Sequence, residues 1–272
     1  MAYAQFQDKV VLITGASSGI GRALATAFAK QGSHVVLVAR NETKLAALQQ
    51  ELAHFHGERL IQPADVRQPD QVQHTIDAAL KRFGRIDVLV NNAGVGYCGS
   101  VEQMTIEEFR NVFETNFFGA FLFTRAVASH MMQRRSGIII QISSLNGFCA
   151  VPLGSAYCAS KFALEALSQS ARLELHKHNI HVLIVRPGVT DTEFFNNSKN
   201  FHEQNPFPIR NLMTSECVAD AVIRAAARRQ RDLVLTTDGK MLWWLKKFSP
   251  ALVDRILMHY VKARSPSEKA AT

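Results

Sequence analysis

The sequence predicts an α/β fold, in which a doubly wound parallel sheet of about seven strands lies between two layers of helices. Short, continuous apolar runs alternate along the chain with longer segments of helical periodicity. Continuous rather than alternating apolar residues indicate strands that are buried on both faces. Helices between such strands indicate parallel pairing through right-handed crossovers. Together these observations favour a three-layer α/β/α architecture.

The order of elements follows from the apolar runs. KVVLITG predicts the first strand, HVVLVAR the second, and a helical pattern links them. The same alternation continues to a weaker last run, DLVLTT. The predicted strands are 9–15, 34–40, 59–65, 86–94, 137–144, 180–188 and 232–237, and the predicted helices are 19–31, 42–54, 69–83, 107–134 and 155–178.

One domain accounts for most of the chain. No linker-like stretch or internal repeat interrupts residues 9–237, so 1–239 are predicted to form a single domain and 240–272 a C-terminal extension. The composition, 47% hydrophobic and 20% charged, is that of a globular protein with a sizeable core.

Charge and cysteine usage exclude several classes of function. The net charge is +8, but residues 240–272 carry seven basic and only two acidic residues, so no basic stripe runs through the body and nucleic-acid binding is not expected. The four cysteines show no CxxC pair, and the histidines have no acidic or cysteine partners at ligand spacing, so no metal site is predicted. With no secretory signal and no uninterrupted apolar stretch of eighteen residues, we expect a cytoplasmic protein.

Polar residues and glycines follow the predicted strands, where ligands bind in sheets of this kind. The turn TGASSGIG after the first strand places Gly15, Gly19 and Gly21 where backbone amides can approach a pyrophosphate. A simple packing loop is the alternative. The predicted cofactor contacts of this turn are Gly15, Ser17, Ser18, Gly19, Ile20 and Gly21.

The end of the second strand bears on cofactor choice. A carboxylate at this point commonly binds the ribose 2′-hydroxyl of NAD(H), whereas an arginine suits the 2′-phosphate of NADP(H). Arg40 stands here, so the sequence favours NADP(H) over NAD(H). After the third and fourth strands come further predicted cofactor contacts, namely Asp65, Val66, Asn91, Ala93 and Gly94.

The stretch SAYCASKFAL sets Tyr157 and Lys161 four residues apart in a predicted helix. Both side chains therefore project from one helical face and can serve one site. Ser143 and Ser144 follow the fifth strand, and Pro187 and Gly188 follow the sixth.

Jointly, TGASSGIG, NNAG (91–94), Asn116, Ser144, YxxxK (157–161) and PGxxxT (187–192) resemble the short-chain dehydrogenase/reductase family, whose fold is of the Rossmann type. The order and spacing agree over about residues 8–235. The resemblance implies an NAD(P)-dependent oxidoreductase with Asn116, Ser144, Tyr157 and Lys161 as catalytic residues. It also implies that Tyr157 and Lys161 contact the cofactor, together with four residues after the sixth strand, namely Pro187, Gly188, Val189 and Thr192.

In that reading Tyr157 exchanges a proton with the substrate oxygen. Half ionisation near pH 7 requires lowering its pKa from about 10, which costs about 4 kcal/mol. A cation about 5 Å away at an effective dielectric of about 20 supplies roughly 3 kcal/mol, so Lys161 is predicted to provide most of it. Ser144 is expected to bind the substrate oxygen, and Asn116 a water that links Lys161 to solvent.

The substrate is predicted to be an apolar carbonyl or alcohol, such as a steroid, retinoid, lipid or aromatic compound. Residues 189–213 form a long, phenylalanine-containing segment that is expected to act as a lid over the nicotinamide. The alternative is that these rings pack inward or at a subunit interface. The predicted substrate contacts are Tyr97, Leu145, Phe148, Phe194 and Phe195.

The C-terminal extension leaves three roles open. Its tryptophans and lysines are compatible with peripheral membrane contact, with a lid over the substrate mouth, or with a dimer contact. A homodimer or homotetramer is expected. The alternatives to the predicted activity are a 3-oxoacyl-carrier-protein reductase of the same family and a non-catalytic NADP(H)-sensing protein on the same fold.

Overall fold

A seven-stranded parallel sheet forms the centre of the protein, as predicted. The computed structural model describes residues 4–194, 198 and 212–262. The strands lie in the order β3-β2-β1-β4-β5-β6-β7, and every adjacent pair is parallel. They are β1 (Val10–Thr14), β2 (His34–Ala39), β3 (Arg59–Pro63), β4 (Val88–Asn91), β5 (Gly137–Ile142), β6 (Ile180–Arg186) and β7 (Asp232–Val234).

Helices cover both faces of the sheet. Within the described residues they are α1 (Gly19–Lys30), α2 (Glu42–Glu51), α3 (Pro69–Phe83), α4 (Ile106–Phe113), α5 (Gly119–Arg134), α6 (Ser155–His176), α7 (Ser215–Ala227), α8 (Thr237–Phe248) and α9 (Pro250–Lys262). Their starts are encoded locally. Asn41 caps α2 by accepting from the Lys44 amide at 2.9 Å, and Thr105 and Glu108 form a capping box on α4.

Burial on both faces explains the continuous apolar strands. In β1, Val11 and Ile13 pack into the core on one side of the sheet, where Phe28 of α1 is fully buried. Leu12 points to the opposite side and joins the core that contains Phe123 of α5. The strand therefore has no solvent face on which polar residues would be favoured.

The segment 107–134 differs from the single helix that its periodicity predicts. It divides into α4 and α5, and one π-helical turn, Glu114–Phe118, joins them. Asn116 lies in this turn with 1% of its surface exposed. The wider turn follows from i→i+5 hydrogen bonding, which hydrophobic spacing does not reveal.

The C-terminal extension begins within a helix. Residue 240, the first of the predicted extension, lies inside α8, which starts at Thr237. Val253 of α9 is 1% exposed, and Lys246 of α8 forms an ion pair with Asp254 of α9 at 2.8 Å. Both helices therefore have an inner face that is partly buried.

Candidate active site

A cavity of about 940 Å³ opens at the carboxyl ends of the strands. It lies where the strand order reverses, because the chain leaves β1 toward β2 on one side and adds β4 on the other. Twenty of the predicted site residues line it: Gly15, Ser17, Ser18, Gly19, Ile20, Arg40, Asp65, Val66, Ala93, Gly94, Tyr97, Ser144, Leu145, Tyr157, Lys161, Pro187, Gly188, Val189, Thr192 and Phe194.

Four predicted site residues stand outside this lining, namely Gly21, Asn91, Asn116 and Phe148. A fifth, Phe195, falls outside the described residues, as do Phe201 and Phe207 and most of the predicted lid. Phe148 is partly buried and does not line the cavity, unlike the other described residues predicted to contact the substrate.

The glycine-rich turn after β1 is shaped by two left-handed residues and one close approach. Gly15 has φ +66° and Gly19 has φ +52°, values that favour glycine. Gly21 does not touch the cavity, but a Cβ at this position would overlap the Gly15 carbonyl. Gly21 thus lets α1 pack against the turn, so that the turn can present its amides to the cavity.

Asn91, which the sequence predicts as a cofactor contact, does not line the cavity, whereas its neighbour Asn92 does. Asn91 is buried and its amide donates to Thr124 Oγ1 at 3.0 Å, which ties β4 to α5. Asn92 lines the cavity, and its amide donates to the carbonyls of Thr14 at 3.0 Å and Gly15 at 3.2 Å. The side-chain alternation of a strand places the first asparagine inward and the second at the site.

A basic group lies at the end of the cavity beside β2 and β3. Arg40 is exposed and lines the cavity, as do Lys44 and Arg67, which sequence reasoning missed. Arg67 donates through Nε to both oxygens of Asp65, at 2.9 and 3.0 Å. These hydrogen bonds hold the pKa of the Asp65 carboxyl below its usual value. One sequence feature pointed to Lys44, since it lies four residues after Arg40 in the first turn of α2.

Tyr157 and Lys161 lie on one face of α6, at the end of the cavity opposite the basic group. The Lys161 ammonium is 5.8 Å from the centroid of the Tyr157 ring, and it donates to the Ile142 carbonyl at 2.9 Å. Ser144 contributes a hydrogen bond to the Tyr157 hydroxyl. Ser144 Oγ also accepts from the Asn146 amide at 3.1 Å, which fixes the serine at the start of a short 3₁₀ turn.

Burial dominates the electrostatics of this pair. It raises the pKa of Tyr157 to about 12, although the hydrogen bond with Ser144 acts in the opposite direction. It also lowers the pKa of Lys161 to about 8, which the negative charge of Glu165 partly opposes. The pKa of Tyr157 is raised, whereas the bound cofactor and Lys161 are expected from the sequence to lower it, because desolvation of the phenolate outweighs the hydrogen bond with Ser144. The protein alone therefore keeps Tyr157 protonated near neutral pH.

Asn116 anchors the loop that follows β4. Its Oδ1 accepts from the Val95 amide at 2.8 Å, and its Nδ2 donates to the Val95 carbonyl at 2.9 Å and to Ser160 Oγ at 3.0 Å. The water-holding role of Asn116 stays a prediction. What these contacts establish is that Asn116 connects the loop at Gly94 and Val95 to the helix that carries Tyr157 and Lys161.

Ser143 and Ser144 both line the cavity but differ in partners. The Ser143 hydroxyl is buried and makes no hydrogen bond within the described residues. Ser144, in contrast, interacts with the Tyr157 hydroxyl and lowers the pKa of that tyrosine. Phe194 packs near the same tyrosine, with ring centroids 5.5 Å apart.

The lining fits an extended dinucleotide. The glycine turn, with its two left-handed residues, can bind phosphates. Basic side chains lie at one end of the cavity, and the buried Tyr157–Lys161 pair lies at the other end. Among the described residues, no three His, Cys, Asp or Glu side chains are grouped to hold a metal ion. No helix in the described ranges is long and apolar enough to cross a membrane.

Sequence comparison identifies the family. A model described as "short chain dehydrogenase" matches residues 9–203, well over half of the chain. The chain belongs to the short-chain dehydrogenase/reductase family. This confirms the resemblance that the motifs indicate, and the fold agrees with it. The short-chain dehydrogenase/reductase described here is therefore an oxidoreductase that acts on CH–OH or carbonyl groups with a nicotinamide cofactor.

Relatives of this short-chain dehydrogenase/reductase cover nearly all of it. The uncharacterized oxidoreductase YxnA of Bacillus subtilis (strain 168) is 33% identical over 278 residues, which span 98% of this chain and 78% of YxnA. A short-chain dehydrogenase/reductase from Burkholderia phymatum in complex with NAD has a TM-score of 0.83 and 26% identity, covering 91% of this chain and 96% of that one. A metagenomic short-chain oxidoreductase in complex with NADP has a TM-score of 0.72 and 33% identity, covering 84% of this chain and 97% of that one.

Proposed function

We propose that the protein is an NADP(H)-dependent oxidoreductase that interconverts an apolar carbonyl compound and its alcohol. The observation that carries this proposal is the placement of Tyr157, Lys161 and Ser144 at one end of a single cavity whose other end holds Arg40. The nicotinamide cofactor supplies or accepts the hydride when it is bound. The protein's own residues orient the reactants and manage the proton.

Proton transfer falls to Tyr157. Carbonyl reduction leaves an alkoxide that requires a proton, and Tyr157 holds one because burial raises its pKa to about 12. The Ser144 hydroxyl, bonded to Tyr157, is placed to stabilise charge on the substrate oxygen. The Lys161 ammonium nearby stabilises the phenolate that remains after transfer.

The walls near Tyr157 support an apolar substrate. Leu145, Val151, Leu153 and Phe194 line this end of the cavity together with Tyr97, which is itself 7% exposed. Such walls favour steroid-, retinoid-, lipid- or aromatic-like compounds over charged ones, because an ionised group would be desolvated there without a partner.

The test follows absorbance at 340 nm while ketones and aldehydes are offered with NADPH or NADH. We expect turnover with NADPH that Tyr157→Phe abolishes without loss of NADPH binding, since the ring remains but the proton donor is gone. Turnover of acyl thioesters on acyl-carrier protein alone would favour a 3-oxoacyl-carrier-protein reductase. Binding of NADPH without any turnover would favour a sensor and would contradict the proposed function.

Arg40 tests the cofactor preference. We expect Arg40→Asp to shift the ratio of kcat/KM values from NADPH toward NADH, because a carboxylate repels the 2′-phosphate and accepts from a 2′-hydroxyl. The side chain is exposed, so the substitution leaves the core intact. An unchanged ratio would remove the support for NADP(H).

We propose a homodimer or homotetramer in the cytoplasm. Support for self-association comes from α6, on which Phe162 and Leu173 are 42% and 75% exposed. Free thiols at all four cysteines suit a reducing compartment. Sedimentation velocity of the wild type and a Phe162→Ser/Leu173→Ser variant tests the oligomer, and a monomeric wild type would contradict it.

We propose that α8 and α9 also provide peripheral contact with anionic membranes. Met241, Trp244 and Phe248 of α8 follow each other at helical spacing, and Met241 and Phe248 are 71% and 74% exposed. Exposed Lys240 and Lys247 flank them, and Lys247 lies over the Trp244 ring at 5.7 Å. Aromatic rings beside lysines suit the interface of a bilayer with acidic headgroups.

Vesicle co-sedimentation tests this contact. We expect the full chain to sediment with phosphatidylserine-containing vesicles and less with neutral ones, and Trp244→Ser/Phe248→Ser to lose the difference. Val101→Ser is the matched control, because Val101 is 76% exposed elsewhere on the surface. Equal sedimentation of both variants would rule out α8 as the contact.

A further inference from the structure

An ion pair joins two rims of the cofactor cavity. Lys44 Nζ lies 2.8 Å from Glu193 Oε2 and 3.1 Å from Oε1, and both residues line the cavity. The side chains are 45% and 50% exposed, so the pair is at the solvent edge. Lys44 belongs to α2, and Glu193 to the segment after β6, 149 residues further along the chain.

The lysine end of this pair lies in the basic group that contains Arg40. The Asn41 cap holds the Lys44 amide at 2.9 Å, so that Lys44 stands in the first turn of α2 and four residues after Arg40. Arg40 forms no hydrogen bond or salt bridge within the described residues, although its charge acts on Asp65. Asp65 is already bound by Arg67 and does not compete for Lys44.

The glutamate end lies between two other parts of the site. Its neighbour Thr192 faces the glycine turn, since a Cβ on Gly19 would lie 2.9 Å from Thr192 Cγ2. Its other neighbour, Phe194, packs near the Tyr157 ring. The short stretch Thr192–Phe194 therefore touches the phosphate end, the basic group and the catalytic tyrosine in succession.

We propose that Lys44 is a second ligand, beside Arg40, for the 2′-phosphate of the cofactor. In the absence of this phosphate, Glu193 forms an ion pair with Lys44. The inference rests on the proposed use of NADP(H) and adds the residue pair that discriminates a nucleotide with a 2′-phosphate from one without it. Binding of the phosphorylated form exchanges one anionic partner of Lys44 for another.

The exchange is favourable on charge grounds. An exposed lysine–carboxylate pair contributes little, because water and salt screen it. A phosphate monoester carries up to two negative charges and three acceptor oxygens, so it binds an ammonium and a guanidinium together more strongly than one carboxylate does. A nucleotide without a 2′-phosphate has no group at this position to displace Glu193, so the ion pair between Lys44 and Glu193 remains formed.

The experiment measures binding of two nucleotide fragments to the full chain by calorimetry. The probes are adenosine 2′,5′-bisphosphate and 5′-AMP, which differ only in the 2′-phosphate. We expect Lys44→Met to weaken the bisphosphate about tenfold and Glu193→Gln to tighten it about two- to fivefold, with 5′-AMP unchanged in both. In the Lys44→Met background, Glu193→Gln should not change the affinity for the bisphosphate, since the lysine with which Glu193 pairs is absent.

Exposed residues on distant helices provide the controls. Lys81→Met on α3 and Glu174→Gln on α6 make the same changes in charge away from the cavity and should leave both affinities at wild-type values.

Three results would overturn the inference. If Lys44→Met keeps the wild-type preference for the bisphosphate, Lys44 is no ligand. If Glu193→Gln leaves the affinity unchanged, or tightens it equally without Lys44, the exchange does not occur. If the wild type binds both probes equally, the 2′-phosphate preference itself fails, while the turnover assay still decides separately whether the protein is an oxidoreductase.

Discussion

Asn116 forms a reciprocal pair of hydrogen bonds with the backbone of Val95. Its Oδ1 accepts from the Val95 amide at 2.8 Å and its Nδ2 donates to the Val95 carbonyl at 2.9 Å. The same Nδ2 reaches Ser160 on α6. One buried side chain thus holds the loop after β4 against the catalytic helix, and the π-helical turn places it there.

Replacing Asn116 by alanine should loosen this loop. We expect a loss of about 1–3 kcal/mol in the free energy of unfolding, because the Val95 backbone and Ser160 lose their partner. NADPH binding should weaken as well, since Gly94 lines the cavity beside Asn116. Urea unfolding and NADPH titration measure the two effects. Gln73→Ala removes an exposed amide hydrogen bond and should change neither; equal effects in both variants would contradict the anchoring role.

Gly21→Ala should damage the phosphate-binding turn without touching the cavity directly. The added methyl overlaps the Gly15 carbonyl, so α1 or the turn must move. We expect NADPH affinity to fall by at least about tenfold, which corresponds to a loss of about 1.4 kcal/mol. Arg22→Ala changes the next position, a partly exposed side chain paired with Glu51 and outside the cofactor cavity, and should keep the affinity. A Gly21→Ala protein with wild-type affinity would show that the turn tolerates displacement.

Lys161→Met should stabilise the protein near neutral pH while it abolishes turnover. The pKa of Lys161 is lowered from 10.5 to about 8 by burial, so holding the charged form in the folded state costs about 3 kcal/mol at pH below 8. The unfolded chain binds more protons than the folded one between about pH 8 and 10.5, so wild-type stability rises relative to the variant in that window.

The measurement compares urea unfolding of wild type and Lys161→Met from pH 7 to 9.5. We expect the variant's advantage to be largest at pH 7, reduced by the lost hydrogen bond to the Ile142 carbonyl, and to shrink as the pH rises above about 8. A difference that is constant across this range would mean that Lys161 does not titrate there.

Glu165→Gln should lower the free energy of unfolding, because it removes the buried charge that pairs with Arg186. Glu165 binds Arg186 through two hydrogen bonds, at 2.9 and 2.5 Å, and both side chains are buried. Removing the carboxylate charge leaves Arg186, within the described part of the chain, with the exposed Asp232 as its one acidic partner, so we expect the free energy of unfolding to fall by about 3 kcal/mol.

The exposed pair between Lys246 and Asp254 offers the comparison. Asp254→Asn should cost at most about 1 kcal/mol, because solvent already screens that pair. Urea denaturation of both variants tests the contrast. Equal costs would show that burial does not strengthen the Glu165–Arg186 pair.

Sequence patterns were sufficient for the order of strands and helices and for most of the cavity lining. Strand burial depends on runs of apolar residues, and the glycine turn and the Tyr157–Lys161 spacing are local features. The patterns failed where a contact joins distant segments. Asn91 faces α5 and Asn92 lines the cavity because the end of β4 decides which side chain turns toward α5, and no local pattern pairs Lys44 with Glu193.

The sequence by itself determined the fold class, the family and the positions where backbone must approach a ligand, because each depends on the periodicity or size of neighbouring side chains. The tertiary structure alone decided the electrostatics of the site. Burial, which raises the pKa of Tyr157 to about 12 and lowers that of Lys161 to about 8, arises from every element packed around the pair. The pKa of a group depends on the water and charges that the whole fold leaves near it, and adjacent residues in the chain specify only a small part of that environment.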